Sequence, residues 1–284
     1  MTLVLSGRIA RGGTLRDGWI EIERGRVTEV RAGRPPRTPD EHHDGIVAPG
    51  LCDIQVNGGA GHEVTGGSAA LDAIDALELA HGVTSYLPTL VTTDASTAER
   101  AVAELEARVA DPRSPVAGVH LEGPFLSPAH AGVHRAELMA VPADGVPSYY
   151  ASSAVRLVTL SPELPGALEL VRDLRARGVT VSLGHSGADA ALVRAAIDAG
   201  AAMVTHVFNA MEPLHHRAPG IVGTALLDAR VRVCVIADGL HVDPPVLELV
   251  RRLVGRRVVL VTDATPAAGA PEGRYEMAGG SIPA

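Results

Sequence analysis

The sequence predicts an α/β protein: a (β/α)8 TIM-like barrel, incomplete at its C-terminal end, preceded by a small N-terminal unit of β-strands. Three observations lead there. From Leu51 onward, eight short apolar runs alternate with segments of helical period, and a doubly wound sheet usually has fewer strands. Neither a GxGxxG nor a GxxxxGK(S/T) segment is present to form a dinucleotide or nucleotide loop. Finally, 46% of the 284 residues are hydrophobic and 20% charged, enough to build one large core and too apolar for a disordered chain.

The first unit is expected over residues 1–48. TLVLSG, WIEIERG and RVTEVRAG read as short strands, with Gly25 and Arg26 as a hairpin turn between the last two. Positions 32–45 are polar and proline-rich and read as a surface crossing. The unit reads as a small antiparallel β unit.

The barrel is expected over residues 49–284. Residues 51–56 form a strand, 69–81 a helix, 84–90 a strand and 96–109 a helix, with Thr93 or Asp94 available as its cap. Strands follow at 116–121 and 155–160, a helix at 166–177, a strand at 179–183 and a helix at 188–199. Strands at 203–207 and 231–236, a helix at 244–254 and a strand at 258–261 complete the series. GAGH at 59–62 reads as a glycine-rich turn. After residue 261 no helical pattern follows to cover the last strand, which would leave apolar barrel surface exposed.

A formal charge of -8, with no basic block, argues against binding a nucleic-acid backbone. The only cysteines, Cys52 and Cys234, sit in apolar runs and read as buried free thiols of a reducing compartment. No apolar stretch is long enough for a membrane span or a signal peptide. The expected location is cytoplasmic and the expected partner a small molecule.

Chemistry in such a barrel sits at the C-terminal ends of the strands. That rule collects Asp53, Gln55 and Asn57, then His120 and Glu122, His185, His206, His241 and Asp263. His185 and His206 are separated by one helix and one strand, so they occupy corresponding places on neighbouring strands. With Glu122 they offer two imidazoles and a carboxylate, a donor set for Zn²⁺ or another borderline divalent ion that leaves a position open for water. Asp263, at the rim after VLVT, is the natural group to take a proton from that water. In the loop after His206, the side chains of Asn209, His215, His216 and Arg217 could grip an anionic, polyhydroxylated ligand or could simply be solvated surface. His134 and His241 stand evenly between substrate contact and ordinary structure.

GLCDIQVNGGAGHE, HLEGPFLSPAHAGVH, VSLGHSGA, THVFNAMEPLHHRAPG, ADGLHVDP and LVTDATPAAG together resemble the N-acetylglucosamine-6-phosphate deacetylases of the amidohydrolase superfamily. The resemblance runs from residue 3 to residue 280, and HLEGPF combined with THxFNAM is far more specific than any lone histidine. It implies hydrolysis of N-acetyl-D-glucosamine 6-phosphate to D-glucosamine 6-phosphate and acetate, in amino-sugar catabolism. Carried over, Glu122, His185 and His206 would hold the metal, and Asp263 would act first as base and then as acid. His241 would polarise the amide carbonyl, and His134, Asn209, Ala210 and Arg217, together with His241, would contact the sugar phosphate. The resemblance also makes residues 1–48 a partial β-sandwich whose C-terminal strands are missing, and it implies a homodimer in which a phosphate-binding arginine can reach in from the partner subunit.

Two departures from the family pattern shape the expectation. Where many amidohydrolases carry His-x-His, this chain has Asp53-Ile54-Gln55-Val56-Asn57, and amides are poor zinc ligands. One divalent ion is therefore expected, zinc first, with Fe²⁺, Co²⁺ or Mn²⁺ also suited to the donor set. The familiar pattern also stops near Gly280, so a shortened chain is expected, with a truncated inactive derivative or a non-catalytic sugar-phosphate binder as alternatives to a working enzyme. A relative acting on N-acetylgalactosamine 6-phosphate or another N-acyl substrate is the remaining alternative; Arg217 and FNAMEPLHHR favour a phosphosugar.

Overall fold

A computed structural model describes residues 2–283, so the first residue of the expected domain 1–48 and the last of the expected domain 49–284 lie outside it. Two compact units emerge, one up to Leu51 and one from Cys52 onward.

The first unit is a single four-stranded sheet in the order β3-β2-β1-β4, made of β1 (Thr2–Arg11), β2 (Thr14–Glu23), β3 (Arg26–Ala32) and β4 (Glu41–Val47). Gly12 and Gly13, both at positive φ, turn β1 into β2, and Arg24 with Gly25 turns β2 into β3, one residue earlier than the sequence suggests. Val4, Ile9 and Trp19 are its buried apolar side chains. The polar stretch expected to be a surface crossing instead ends in a strand: β4 pairs parallel to β1, Leu5 opposite Glu41 and Ile9 opposite Val47. An edge strand needs only backbone partners on one side, so its polar, exposed side chains gave no apolar alternation to read.

The second unit contains β5 (Leu51–Val56), a two-strand turn of β6 (Gly58–Gly59) and β7 (His62–Glu63), α1 (Ser68–Ala80), β8 (Val83–Val91), α2 (Ala95–Ala110), β9 (Val119–Glu122), β10 (Val155–Leu160), α3 (Ala167–Ala176), β11 (Thr180–Leu183), α4 (Ala190–Ala199), β12 (Met203–Val204), α5 (Gly220–Leu227), β13 (Arg232–Ile236), α6 (Pro244–Val254), β14 (Val258–Val261), β15 (Arg274–Met277) and β16 (Gly280–Pro283). Strands β5 and β8–β14 form one eight-stranded sheet in chain order. Its two ends meet: Val56 bridges Ala264 in parallel, Asn57 donates its N–H to the Ala264 carbonyl at 2.7 Å, and Thr262 donates its N–H to Asp53 Oδ2 at 3.0 Å. The barrel is therefore nearly closed, as the eight apolar runs predict.

Alternation along each strand sorts the side chains. Val119, Leu121, Val158, Leu160, Val181 and Leu183 join the core that the helices share, whereas Leu87, Leu157, Met203, Cys234, Ile236 and Val261 form a separate apolar cluster. Helix α2 starts at Asp94, whose carboxylate accepts the Thr97 N–H. Helix α5 escaped the sequence reading. GIVGTALL is apolar all round and almost wholly buried, so it has no polar face and no 3.6-residue stripe. Gly223 in it is required by contact, since a Cβ there would lie 2.6 Å from Pro219 Cβ.

Among the described residues no helix follows β14; a hairpin of β15 and β16 does. Leu260 on β14 is 63% exposed, and Leu249 and Leu253 on α6 are 58% and 52% exposed. The exposure expected at the last strand is thus present. Cys52 is exposed, not buried as its apolar run suggested, because it faces outward at the start of β5; Cys234 is buried.

Glu78, on the buried side of α1, carries a testable consequence. Burial first, and the Asp53 carboxylate second, push its carboxyl up to about 7. A folded-state pKa above the unfolded one stabilises fully below the unfolded value, and that contribution is lost as pH rises through the folded value. Glu78→Gln should therefore match the parent near pH 4.5 and exceed it at pH 8 by about 2 kcal/mol. Urea unfolding at both pH values measures this, and equal stabilities at pH 8 would contradict it.

Candidate functional site

The barrel mouth gathers most of the polar strand ends. His120 and Glu122 lie two residues apart on β9 and so share the inward face, with Val119 and Leu121 turned to the helices. Glu122 is 2% exposed, His185 and His206 4% each. His206 Nε2 lies 3.1 Å from Glu122 Oε1 and 3.2 Å from His185 Nε2, and His185 Nε2 lies 3.4 Å from the same carboxylate oxygen. Three donor atoms thus face one point. Tetrahedral bonds of about 2.0–2.1 Å would separate such ligands by about 3.3–3.4 Å, so the set fits a zinc-like ion without rearrangement.

Neighbours fix the direction of these donors. His185 Nδ1 lies 2.8 Å from the His130 carbonyl, which only an N–H can satisfy, so Nε2 carries the lone pair that faces the site. His206 Nδ1 is buried without a partner. Gln55, read as a poor ligand, donates Nε2 to Glu122 Oε1 at 3.1 Å and so orients the carboxylate instead. Burial opposes the Glu122 charge, but the close approach of His185 and His206 outweighs it and holds the carboxyl well below its usual range. Burial likewise opposes a charge on His206, yet the Glu122 hydrogen bond and charge raise it to about 9. Without an ion, a proton on His206 balances Glu122; a divalent ion would displace it.

Asp263 follows β14, and Asn57 donates Nδ2 to its Oδ1 at 2.7 Å. Burial, then the nearby Glu122 charge, raise its carboxyl, with His206 and Asn57 pulling the other way. The result is a carboxylate that holds a proton more readily than a free one, the property a proton shuttle needs. His185, His206 and Asp263 share a further trait: φ values of 48°, 26° and 53°, in the left-handed region that costs a non-glycine residue energy.

The remaining expected residues separate into two groups. His134 is 5% exposed; its Nδ1 accepts the Thr92 N–H at 3.1 Å, leaving an N–H on Nε2, 3.8 Å from Glu122 Oε2. Burial holds this ring down to about 4, hence neutral. Ala210 also belongs near the centre: a Cβ added to Gly132 would lie 3.3 Å from His185 Cε1 and 3.8 Å from Ala210 Cβ. Asn209 donates Nδ2 to the His206 carbonyl at 3.2 Å. Arg217 is exposed, its Nε–H on His216 Nε2 at 3.1 Å, beside a groove of 710 Å³ that it lines with His215, Glu212 and the start of α4. His241, with its side chain half-exposed, hydrogen-bonds Asp238 Oδ2 through Nδ1 at 2.7 Å and not the buried cluster. The sequence reading missed the roles of Gln55, Asn57, Thr92 and the His130 carbonyl; the first two were visible as polar strand ends, the others are contacts between distant segments.

No family model matches the chain. Comparison with curated proteins finds the N-acetylglucosamine-6-phosphate deacetylase of Bos taurus, 40% identical over 290 residues, which covers 95% of this chain and 71% of that protein. The N-acetylgalactosamine-6-phosphate deacetylase of Escherichia coli O157:H7 is 38% identical, covering 94% of this chain and 73% of that one. Among solved structures, an N-acetyl-D-glucosamine-6-phosphate deacetylase variant from Mycobacterium smegmatis, in complex with N-acetyl-D-glucosamine-6-phosphate, superposes with a TM-score of 0.93 at 35% identity over 99% of this chain and 76% of that chain.

Proposed function

The chain belongs to the N-acetylglucosamine-6-phosphate deacetylase family, and from that premise we propose that it hydrolyses N-acetyl-D-glucosamine 6-phosphate to D-glucosamine 6-phosphate and acetate. The convergence of Glu122, His185 and His206 on one point is the observation that carries the proposal. A single divalent ion held there, zinc in our reading and otherwise Fe²⁺, Co²⁺ or Mn²⁺, would supply Lewis acidity toward water and the acetyl carbonyl.

Asp263 takes the proton of the attacking water as the new C–O bond forms. It then returns that proton to the nitrogen, so the C–N bond breaks and the amine leaves neutral. Asn57 holds the carboxylate in line for both transfers, and its hydrogen bond keeps Asp263 from becoming too basic to give the proton back. The oxygen of the acetyl group gains negative charge on attack and needs a donor in a water-poor place. The buried Nε2–H of His134 suits that role better than the half-exposed His241, which the sequence reading had favoured. His241, Asn209, Ala210 and Arg217 remain our candidates for holding the sugar phosphate. A guanidinium matches a phosphate with two parallel hydrogen bonds. Arg217 is exposed on the single chain, in keeping with a site completed in a homodimer. No helix among the described residues is long and apolar enough to cross a membrane; cytoplasmic residence is part of the proposal, resting on the two unpaired cysteines.

Acetate release from N-acetylglucosamine 6-phosphate, N-acetylgalactosamine 6-phosphate and unphosphorylated N-acetylglucosamine, with metal content measured on the same sample, tests this reading. We expect one ion per chain and the highest kcat/KM on the first substrate. Arg217→Ala should cut kcat/KM roughly tenfold to a hundredfold on the phosphorylated sugar and leave the unphosphorylated one nearly unchanged. Release from none of the three substrates would overturn the proposal, and preference for the galactosamine epimer would move it to that substrate.

A further inference from the structure

Directly beneath the three converging donors, a file of polar side chains crosses the barrel interior. Ser182 Oγ on β11 lies 2.6 Å from Thr205 Oγ1, next to β12; Thr205 Oγ1 lies 2.7 Å from Thr159 Oγ1 on β10. Thr159 Oγ1 meets His120 Nε2 on β9 at 2.8 Å, and His120 Nδ1 meets Thr89 Oγ1 on β8 at 3.1 Å. The file ends on β5, where Val56 donates its N–H to Thr89 Oγ1. Every one of the five side chains is 2% exposed or less.

Such a layer is not what barrel stability asks for. Interiors of this fold are filled by branched apolar side chains, and the apolar cluster of Leu87, Leu157, Met203, Cys234, Ile236 and Val261 shows that this chain can supply them. Buried polar groups cost free energy unless each finds a partner, and here each does. The hydroxyl hydrogens can all run one way: Ser182 to Thr205, Thr205 to Thr159, Thr159 to the lone pair of His120 Nε2. The His120 N–H then points to Thr89. A neutral imidazole is the side chain that accepts at one end and donates at the other across this gap.

Three members of the file are coupled directly to a donor of the centre. His120 shares the inward face of β9 with Glu122 two residues on, and Thr159 stands in register with Glu122. Thr205 immediately precedes His206. Gly184, just before His185, is pressed against the file: a Cβ there would lie 2.9 Å from Thr159 Cγ2 and 3.1 Å from Thr205 Cβ. We propose that His120 is a positioning residue, the central link of a hydrogen-bonded file that sets the spacing of Glu122, His185 and His206 and thereby the affinity of the centre for its ion. This rests on the metal-centre reading above.

The test is zinc affinity by chelator competition, with the visible absorption of the Co²⁺-loaded chain as a report of coordination geometry. Thr159→Val and His120→Leu should each weaken zinc roughly 10–100-fold and alter the Co²⁺ spectrum, while His120→Gln, which keeps a donor and an acceptor, should recover most of the affinity. The Thr159→Val/His120→Leu double variant should be little weaker than the weaker single one, because both break the same file. Turnover should fall with KM for the sugar phosphate little changed. Zinc affinity within about twofold of the parent in folded Thr159→Val and His120→Leu chains would overturn the proposal. So would a His120→Gln chain as weak as His120→Leu. If His120→Leu does not fold, Thr159→Val decides alone. A parent chain that binds zinc but releases no acetate would sink the function and spare this inference, whereas a folded parent that binds none of Zn²⁺, Fe²⁺, Co²⁺ and Mn²⁺ overturns both.

Discussion

Asp263→Asn should lower kcat roughly a thousandfold or more while the chain keeps its full complement of metal. The two expectations come from the same geometry. Asp263 lies outside the trio of Glu122, His185 and His206, so the ion does not depend on it. In the proposed reaction its carboxylate carries the proton in both halves, and an amide at that place cannot accept the proton. Asparagine also tolerates the left-handed backbone that Asp263 adopts at φ 53°. It further removes a buried charge that is raised by burial and by repulsion from Glu122. The metal-free variant should therefore melt higher than the metal-free parent. Metal content, acetate release and a melting curve check the three statements. Loss of metal on substitution, or turnover within a tenth of the parent's, would show that Asp263 is a ligand or a bystander.

Glu122→Gln should do the opposite to the metal. The carboxylate is the only anionic donor of the trio, and Nε2 of Gln55, His185 and His206 all lie within 3.4 Å of one of its oxygens. An amide oxygen is a weak ligand for such an ion, and the new NH₂ group would face donors already present. We expect zinc affinity to drop by at least about a hundredfold and acetate release to vanish with it. A second signature needs no metal at all. His206, raised to about 9 by Glu122, stabilises the metal-free parent fully below its unfolded pKa, and that stability is lost as pH rises from about 6.5 through 9. With glutamine at 122 the raising charge is gone, and this part of the pH dependence should disappear. Stoichiometric zinc after dialysis of the variant, or an unchanged pH profile of the metal-free chain, would remove Glu122 from the centre.

Much of the barrel was legible in the residues because an enclosed parallel sheet writes itself as apolar runs separated by amphipathic helices. Helix α5 and strand β4 show the limit. The first is too apolar to show a face, the second too polar to show an alternation, and both depend on what lies beside them. The same holds within the site. Glu122, His185, His206 and Asp263 could be selected because the strand-end rule makes position along the chain a guide to position in space. Gln55 and Asn57 obeyed that rule too, yet their work as donors to Glu122 and Asp263 depends on side-chain contacts across the closed sheet.

The division between His134 and His241 is sharper. As letters they were equivalent, each a histidine in a loop after a strand. Folding buries one, lets Thr92 take its Nδ1 and turns its Nε2–H toward Glu122, and leaves the other half-exposed beside Asp238. The sequence by itself determined the barrel, the donor types at its mouth and the family resemblance, because periodicity and residue chemistry are local properties. Tertiary structure alone decided which histidine is buried and aimed inward, how close the three donors stand, and which hydroxyls lie beneath them. Burial, tautomer and distance are set by segments far apart in the chain.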